Sequence, residues 1–266
     1  MIQTKKPILF RAAEVSEDIA RFHDAERGSE FNLSFWFPKI SGCHIMMPNT
    51  SVFQVPADVY EAFFMIRQGD RELICDFVTE AVIPYMAPNQ YFMKNGCFSN
   101  KFDFRVCMTN KHRIVDDIIA INYQAQCVES GGCTEIVLRE PIPFNSKKTP
   151  CIYHGMPLQT EIRTFYDFDK REVLYSANYW DYDTVRPHLR NMTDIIIFDA
   201  TKGEILAGYE KWCPKVEALT TDQMKNVEMT GKWSIDFLVD FKGQIWLIDM
   251  AKANRSTYWK GGLFSD

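Results

Sequence analysis

The sequence predicts an α+β protein, not a doubly wound parallel sheet. Strand-like and helix-like stretches alternate irregularly, and many of the strand candidates are joined by hairpin-like connections. The chain is also long enough, at 266 residues with 46% hydrophobic and 24% charged, to bury a large core as one domain or two closely packed lobes. No internal repeat, low-complexity tract or long linker divides it.

Taken in order, the first 30 residues are polar and mixed, with one helix expected around Ser16 to Ala25. "IMMPNTSVFQVP" (Ile45 to Pro56) holds an extended segment bracketed by prolines. "ADVYEAFFMIRQGD" (Ala57 to Asp70) reads as an amphipathic helix, with Val59, Phe63 and Ile66 near one face and Gly69 ending it. "AVIPYM" reads as short and extended, and Gln90 to Met108 as two strands around a small polar loop. Asp116 to Ser130 reads as a helix started by its acids and stopped by Gly131-Gly132. "TEIVLREPIPF" is a strand running into a hinge, because Pro141 and Pro143 cannot donate to a regular ladder. Strands are expected at Thr160 to Phe168, Val173 to Trp180 and Asp194 to Phe198, and a helix in "TTDQMKNVEMT".

A final hairpin, "WSIDFLVDFKGQIWLIDMAKANRS" (Trp233 to Ser256), carries one aspartate on each arm. A two-residue Lys242-Gly243 loop would set Asp236 directly opposite Asp249. A three-residue loop with a glycine bulge at Gly243 would shift the pairing by one and separate them, and the local sequence suits both. Regular alternation puts Ser234, Asp236 and Leu238 on one side, and Ile245, Leu247 and Asp249 together on one side of the other arm. Directly opposed like charges destabilise a sheet by up to ~1 kcal/mol. A hard divalent cation would reverse that sign, whereas two solvated acids would need none.

Net charge is -5 with a pI near 5.6, which argues against a general nucleic-acid binder. No apolar run approaches a membrane span, and the N-terminus lacks the apolar centre of a signal peptide, so a cytoplasmic protein is expected. Eight cysteines contain no Cys-x-x-Cys pair and read as reduced, mostly buried thiols. "FMKNGCFSNKF" has the ingredients of a phosphate cradle: Lys94 ending an apolar strand, Gly96 for close backbone approach, then Ser99, Asn100 and Lys101. Taken alone, the stretch is read first as an ordinary polar hairpin tip. Glu161 and Arg163, two apart in "LQTEIRTFYDF", share a strand face, which is also the pattern of a solvated stripe.

Together these segments resemble the ATP-grasp family, over about residues 40 to 256. "IMMPNT" resembles its opening Pro-x-Thr segment, and "YFMKNGCFSNKF" the strand and mobile loop at the nucleotide phosphates. "IVLREPIPF" resembles the adenine-binding hinge, "TEIRTF" the ribose-binding strand, and "WSIDFLVDFKGQIWLID" the last hairpin with its acidic magnesium ligands. The resemblance implies an ATP-grasp fold of two α/β lobes with the nucleotide cleft between them: a cap at 1–45, an N-lobe at 46–138 and a C-lobe at 139–266. It implies ATP and magnesium as ligands. Lys94 and Ser99 would meet the phosphates, Glu140 and the backbone of Ile142 the adenine, and Glu161 the ribose. Asp236 and Asp249 would hold magnesium, which favours the register that sets them opposite. Arg163 and Lys94 would stabilise the transferred phosphoryl group.

The family's usual asparagine two residues after the second acid is Ala251 here, with Asn254 as the substitute ligand. That departure bears on a two-metal site, and Lys39 is the nearest match to the family's other ATP lysine. The implied activity is a carboxylate-amine ligase acting through an acylphosphate. Its substrates would be a carboxylate-bearing small molecule or peptide and an amine. The alternative is a non-catalytic or weakly catalytic ATP-binding assembly chaperone with a protein partner. Membrane and nucleic-acid partners are not expected.

Overall fold

The computed structural model describes residues 15–65, 67, 69–130 and 132–261. The chain divides into two compact units. One takes in the described part of Met1–Pro38 together with Asn49–Pro141, and the other takes in Lys39–Pro48 with Ile142–Asp266. Both combine helices with antiparallel sheets, so the α+β class expected from the sequence is the one observed.

The first unit is built on a sheet of order β1-β4-β2-β3, from β1 (Thr50–Gln54), β2 (Tyr91–Asn95), β3 (Met108–Thr109) and β4 (Glu135–Arg139), all antiparallel. Its helices are α1 (Glu17–Arg27), α2 (Leu33–Trp36), α3 (Ala57–Met65), α4 (Asp70–Phe77), α5 (Phe104–Cys107) and α6 (Ile114–Cys127). Ser16 caps α1 by accepting from the Ile19 N–H, as an N-cap serine should. Met93, Ile136 and Leu138 alternate onto one sheet face and join the core with Val59, Phe63, Ile118 and Ile121. The other face carries Lys94, Glu135, Val137 and Arg139.

Four readings of this unit change. Gly69 does not close the long helix. With φ +96 it starts α4, while Ile66 lies outside the described residues. "AVIPYM" is not extended: residues Val78–Val82 continue as a π turn and Ile83–Tyr85 as a 3-10 turn, where Pro84 sits at a helix start that needs no N–H from it. Helix α6 stops at Cys127; just past it Glu129 takes φ 54 and the Ser130 N–H returns to the Ala125 carbonyl, while Gly131 lies outside the described residues. Of the two strands expected at Gln90 to Met108, the second is only two residues long, and a short helix fills the stretch between.

The second unit holds the hairpin β5 (Cys151–Ile152) and β6 (Met156–Pro157) and a larger sheet of order β10-β9-β7-β8. Its strands are β7 (Thr160–Asp167), β8 (Glu172–Asn178), β9 (Lys232–Val239) and β10 (Ile245–Lys252). The helices are the short α7 (Tyr182–Val185) and the 33-residue α8 (Met192–Met224). Asp194 to Phe198, expected as a strand, is the start of α8. Asn191 caps it through the Thr193 and Asp194 N–H groups, and Phe198, Ile205, Val216, Thr220 and Met224 form its buried stripe. That cap and stripe override the strand preference of Ile195, Ile196 and Ile197. Helix α8 comes so close to β7 that a Cβ on Gly208 would collide with the Thr160 hydroxyl.

No helix among the described residues is long and apolar enough to cross a membrane. All eight cysteines are free thiols, but only Cys107 and Cys133 are fully buried, while Cys75 and Cys127 are exposed. Burial pushes the Cys97 and Cys107 thiols up to about 12 and Cys133 well above its ordinary value. Brief alkylation of the native protein near neutral pH, read by mass spectrometry, is therefore expected to label Cys75 and Cys127 first. Cys107 and Cys133 should react only after denaturation.

Candidate functional site: a charged ladder across three strands

The two registers considered for the last hairpin both occur in it. Near the turn the pairing is that of a three-residue loop: the Asp240 N–H donates to the Gln244 carbonyl, Gly243 takes φ +82, and Ile245 faces Val239. Asp240 fixes this turn by accepting from the Lys242 and Gln244 N–H groups and from Trp246 Nε1. The register then shifts between Leu247 and Asp249, leaving Ile248 as an extra residue, and Asp249 pairs with Asp236. The acids are opposite each other after all, by a bulge and not by a tight turn. The bulge also separates Asp249 from Ile245 and Leu247, with which regular alternation had grouped it.

A third charge joins the two. On the other side of β9, Asp236 pairs in register with Arg163 of β7. Arg163 Nε donates to Asp236 Oδ1 and Nη2 to Oδ2, both at 2.7 Å. This two-pronged bond is nearly out of solvent, with 12% of the arginine and 6% of the aspartate side chain exposed. Burial alone would weaken the guanidinium's hold on its proton, but Asp236 outweighs that and keeps its pKa above the ordinary value. Arg163 also lies 4.9 Å over the Tyr179 ring, and its Nη1 donates to the Thr257 carbonyl at 3.4 Å. The cation that offsets Asp236 is thus built into the chain.

Glu161 lies two residues before Arg163 on the same face of β7, buried at 1% exposure, opposite Leu238. Past β10 the chain turns at Ala253–Arg255, where Asn254 is half-buried, and runs back over this face. Tyr175 Oη donates to the Tyr258 carbonyl, Tyr258 Oη to the Tyr179 carbonyl, and Trp259 packs against Phe165 and Tyr175. Ala251 pairs with Ser234, so a methyl group stands where a third polar ligand was sought. Among the described residues no group of three or more His, Cys, Asp or Glu is arranged to hold a metal ion. Two opposed carboxylates are donors of the type a magnesium ion takes.

In the first unit, Lys94 is buried at 2% exposure and pairs in register with Val137. In the loop after it, Asn95 Oδ1 accepts from the Cys97 and Phe98 N–H groups. Gly96 is closely packed: a Cβ there would meet Asn32 Oδ1 and come within 2.6 Å of Glu135. Glu135 accepts from the Ser34 N–H and from Gln54 Nε2. Ser99 is half-buried, and its carbonyl accepts from the Lys101 N–H. Glu140 is exposed, bonded through its carboxylate to Asn49 Nδ2, and Ile142, half-buried, opens the second unit. Glu135 and Arg139, buried on the sheet face of Lys94, were not singled out from the sequence as ligand contacts. The available signal was a charge at each end of an otherwise apolar strand, both on one face.

No protein-family model and no curated protein matches the chain. Among solved structures it is similar to a RimK domain ATP-grasp protein from Sphaerobacter thermophilus, at 11% identity and a TM-score of 0.37, over 83% of this chain and 58% of that one. It is similar to the VanG D-Ala:D-Ser ligase of Enterococcus faecalis, at 11% and 0.37, over 87% and 54%. It is similar also to the ATP-grasp ligase PsnB complexed with a minimal precursor, at 8% and 0.36, over 90% and 58%. The solved structures similar to this chain therefore include ATP-grasp proteins, and the chain spans a little over half the length of these three.

The ladder makes its two acids unequal. Asp236→Asn leaves a buried guanidinium without its counter-ion and is expected to cost about 3–5 kcal/mol. Asp249→Asn removes an opposed like charge and leaves the Arg163–Asp236 pair in place, so it should cost less than Asp236→Asn. Urea melts without ligand, comparing the parent with both variants, check this; equal losses would remove the asymmetry.

Proposed function

We propose that this is an ATP-grasp protein that binds ATP with magnesium and joins a carboxylate to an amine through an acylphosphate. The observation that carries the reading is the Arg163–Asp236–Asp249 ladder, one cation and two acids in register on adjacent strands. It lies in a chain whose segments follow the family's order. In this reaction a carboxylate oxygen attacks the γ-phosphorus and ADP leaves. The amine nitrogen then attacks the acyl carbon, phosphate leaves, and the nitrogen gives up a proton. Such transfer depends on position and charge neutralisation, with little covalent work for the protein.

The roles follow from this reading. Arg163 neutralises the transferred group, Glu161 receives the ribose hydroxyls, and Lys94 and Ser99 meet phosphate oxygens. Glu140 and the Ile142 backbone contact adenine. Asp249, Asp236 and Asn254 hold magnesium, which supplies positive charge to the phosphates when bound. The substrate is a small molecule or peptide with a free carboxylate, in a cytoplasmic setting.

Ala251 favours a second reading, an ATP-binding assembly protein with little or no turnover, because its methyl group removes a ligand. Incubation with ATP, magnesium and pooled amino acids or peptides, following ADP and phosphate, separates the two. Product formation supports the ligase; binding without turnover supports the assembly protein.

Calorimetry should show magnesium-dependent ATP binding by the parent and weaker binding by Lys94→Ala, with folding of the variant checked by circular dichroism. No binding by the parent would remove both readings.

In the same titration Glu161→Ala should weaken ATP more than Lys101→Ala. Glu161 is buried beside Arg163, whereas Lys101 is more exposed and its contact is replaceable by water. A reversed order would misplace the ribose.

A further inference from the structure

The geometry points to competition between the Arg163 guanidinium and a divalent cation for Asp236, so that metal affinity at the acid pair is set by where Arg163 is held. This rests on the reading of the ladder as the magnesium-phosphate end of the site, and it deepens that reading into a regulatory one.

Asp236 stands between two in-register partners, Arg163 on one side and Asp249 on the other. Both of its oxygens accept guanidinium N–H bonds at 2.7 Å. A metal ion at the same carboxylate would sit close to a fixed positive charge. The pair is too buried for salt to screen that repulsion well. As long as Arg163 stays on Asp236, the guanidinium offsets the negative charge that this carboxylate would present to a cation.

Arg163 has other attachments. The Tyr179 face and the Thr257 carbonyl hold it near the ladder without Asp236. Leaving the aspartate therefore does not send the side chain into solvent. An anion such as a triphosphate would give the guanidinium a new partner, and Asp236 would then be open to the metal. Anion and metal binding become mutually favourable through one arginine. Without an anion the carboxylates are guarded against stray cations.

The test uses Mn2+ alone, with no nucleotide, titrated into the full chain while free Mn2+ is followed by electron paramagnetic resonance. Arg163→Gln should bind Mn2+ about fivefold or more tightly than the parent, the lower end of ordinary coupling. Arg163→Lys keeps the charge but loses the two-pronged bond. It should shift affinity in the same direction by less, and it carries the test if the glutamine variant does not fold. Asp249→Asn, with the ion pair intact, should bind less Mn2+ than the parent. A folded Arg163 variant that binds Mn2+ no more tightly than the parent overturns the proposal, as does the absence of Mn2+ binding in every form. Failure of the function itself is read separately, as no magnesium-ATP binding by the parent in calorimetry.

Discussion

The bond between Arg163 and Asp236 decides what the larger sheet can carry. Three neighbouring strands place a cation, an anion and a second anion in one row. Without the arginine the row would be two carboxylates on adjacent strands, one of them almost out of water. With it, the central acid is neutralised through two short, aligned hydrogen bonds, while the outer acid lies at the half-exposed edge. A buried pair of this kind is weak evidence for added stability, because desolvation opposes the attraction. Its physical effect is to fix register: a one-residue slip of β9 against β7 would put Arg163 opposite Ile235 or Phe237.

The smaller sheet depends on a different sort of constraint. Glu135 is almost wholly buried yet accepts from a backbone N–H and a glutamine amide. Asn32 reaches back to the Glu26 carbonyl and shares a hydrogen bond with Thr134. These groups crowd the place where a side chain at 96 would go. A glycine that looks like loop chemistry in the sequence is a packing requirement in the fold, and the Cys97 and Phe98 amides of the loop donate to Asn95. Lys94 leads into this polar node, so its burial and that of Glu135 belong to one local arrangement.

Much of the fold was legible because local signals agreed. Ser16 before α1, the acids opening α6, and the strand-like runs of β7, β8 and β9 each pointed to the element observed. The run Asp194 to Phe198 misled because three adjacent isoleucines favour a strand, while the Asn191 cap and the buried spacing from Phe198 to Ile205 are the weaker-looking signals that prevailed. In the site, the opposition of Asp236 and Asp249 was one of two registers the sequence allowed. The bulge that produces it has no glycine or proline to mark it. The role of Arg163 as the partner of Asp236 was out of reach for another reason: the two are 73 residues apart, and only strand pairing brings them together.

The bulge at Ile248 has a consequence for how chain length behaves over evolutionary time. In the register nearest the turn, the position opposite Asp236 would be 248, an isoleucine. Loss of that one residue would slide Asp249 into its place and restore an unbroken ladder, with the acids still facing each other. Gain or loss of a single residue at this point is therefore neutral for the charged row, although elsewhere in a strand it turns every following side chain to the wrong face. When this hairpin is aligned with one of regular geometry, the gap belongs at Ile248 and not in the turn at Phe241 to Gly243. A gap placed in the turn would leave the second acid matched but would set every residue between the turn and Ile248 against the wrong one.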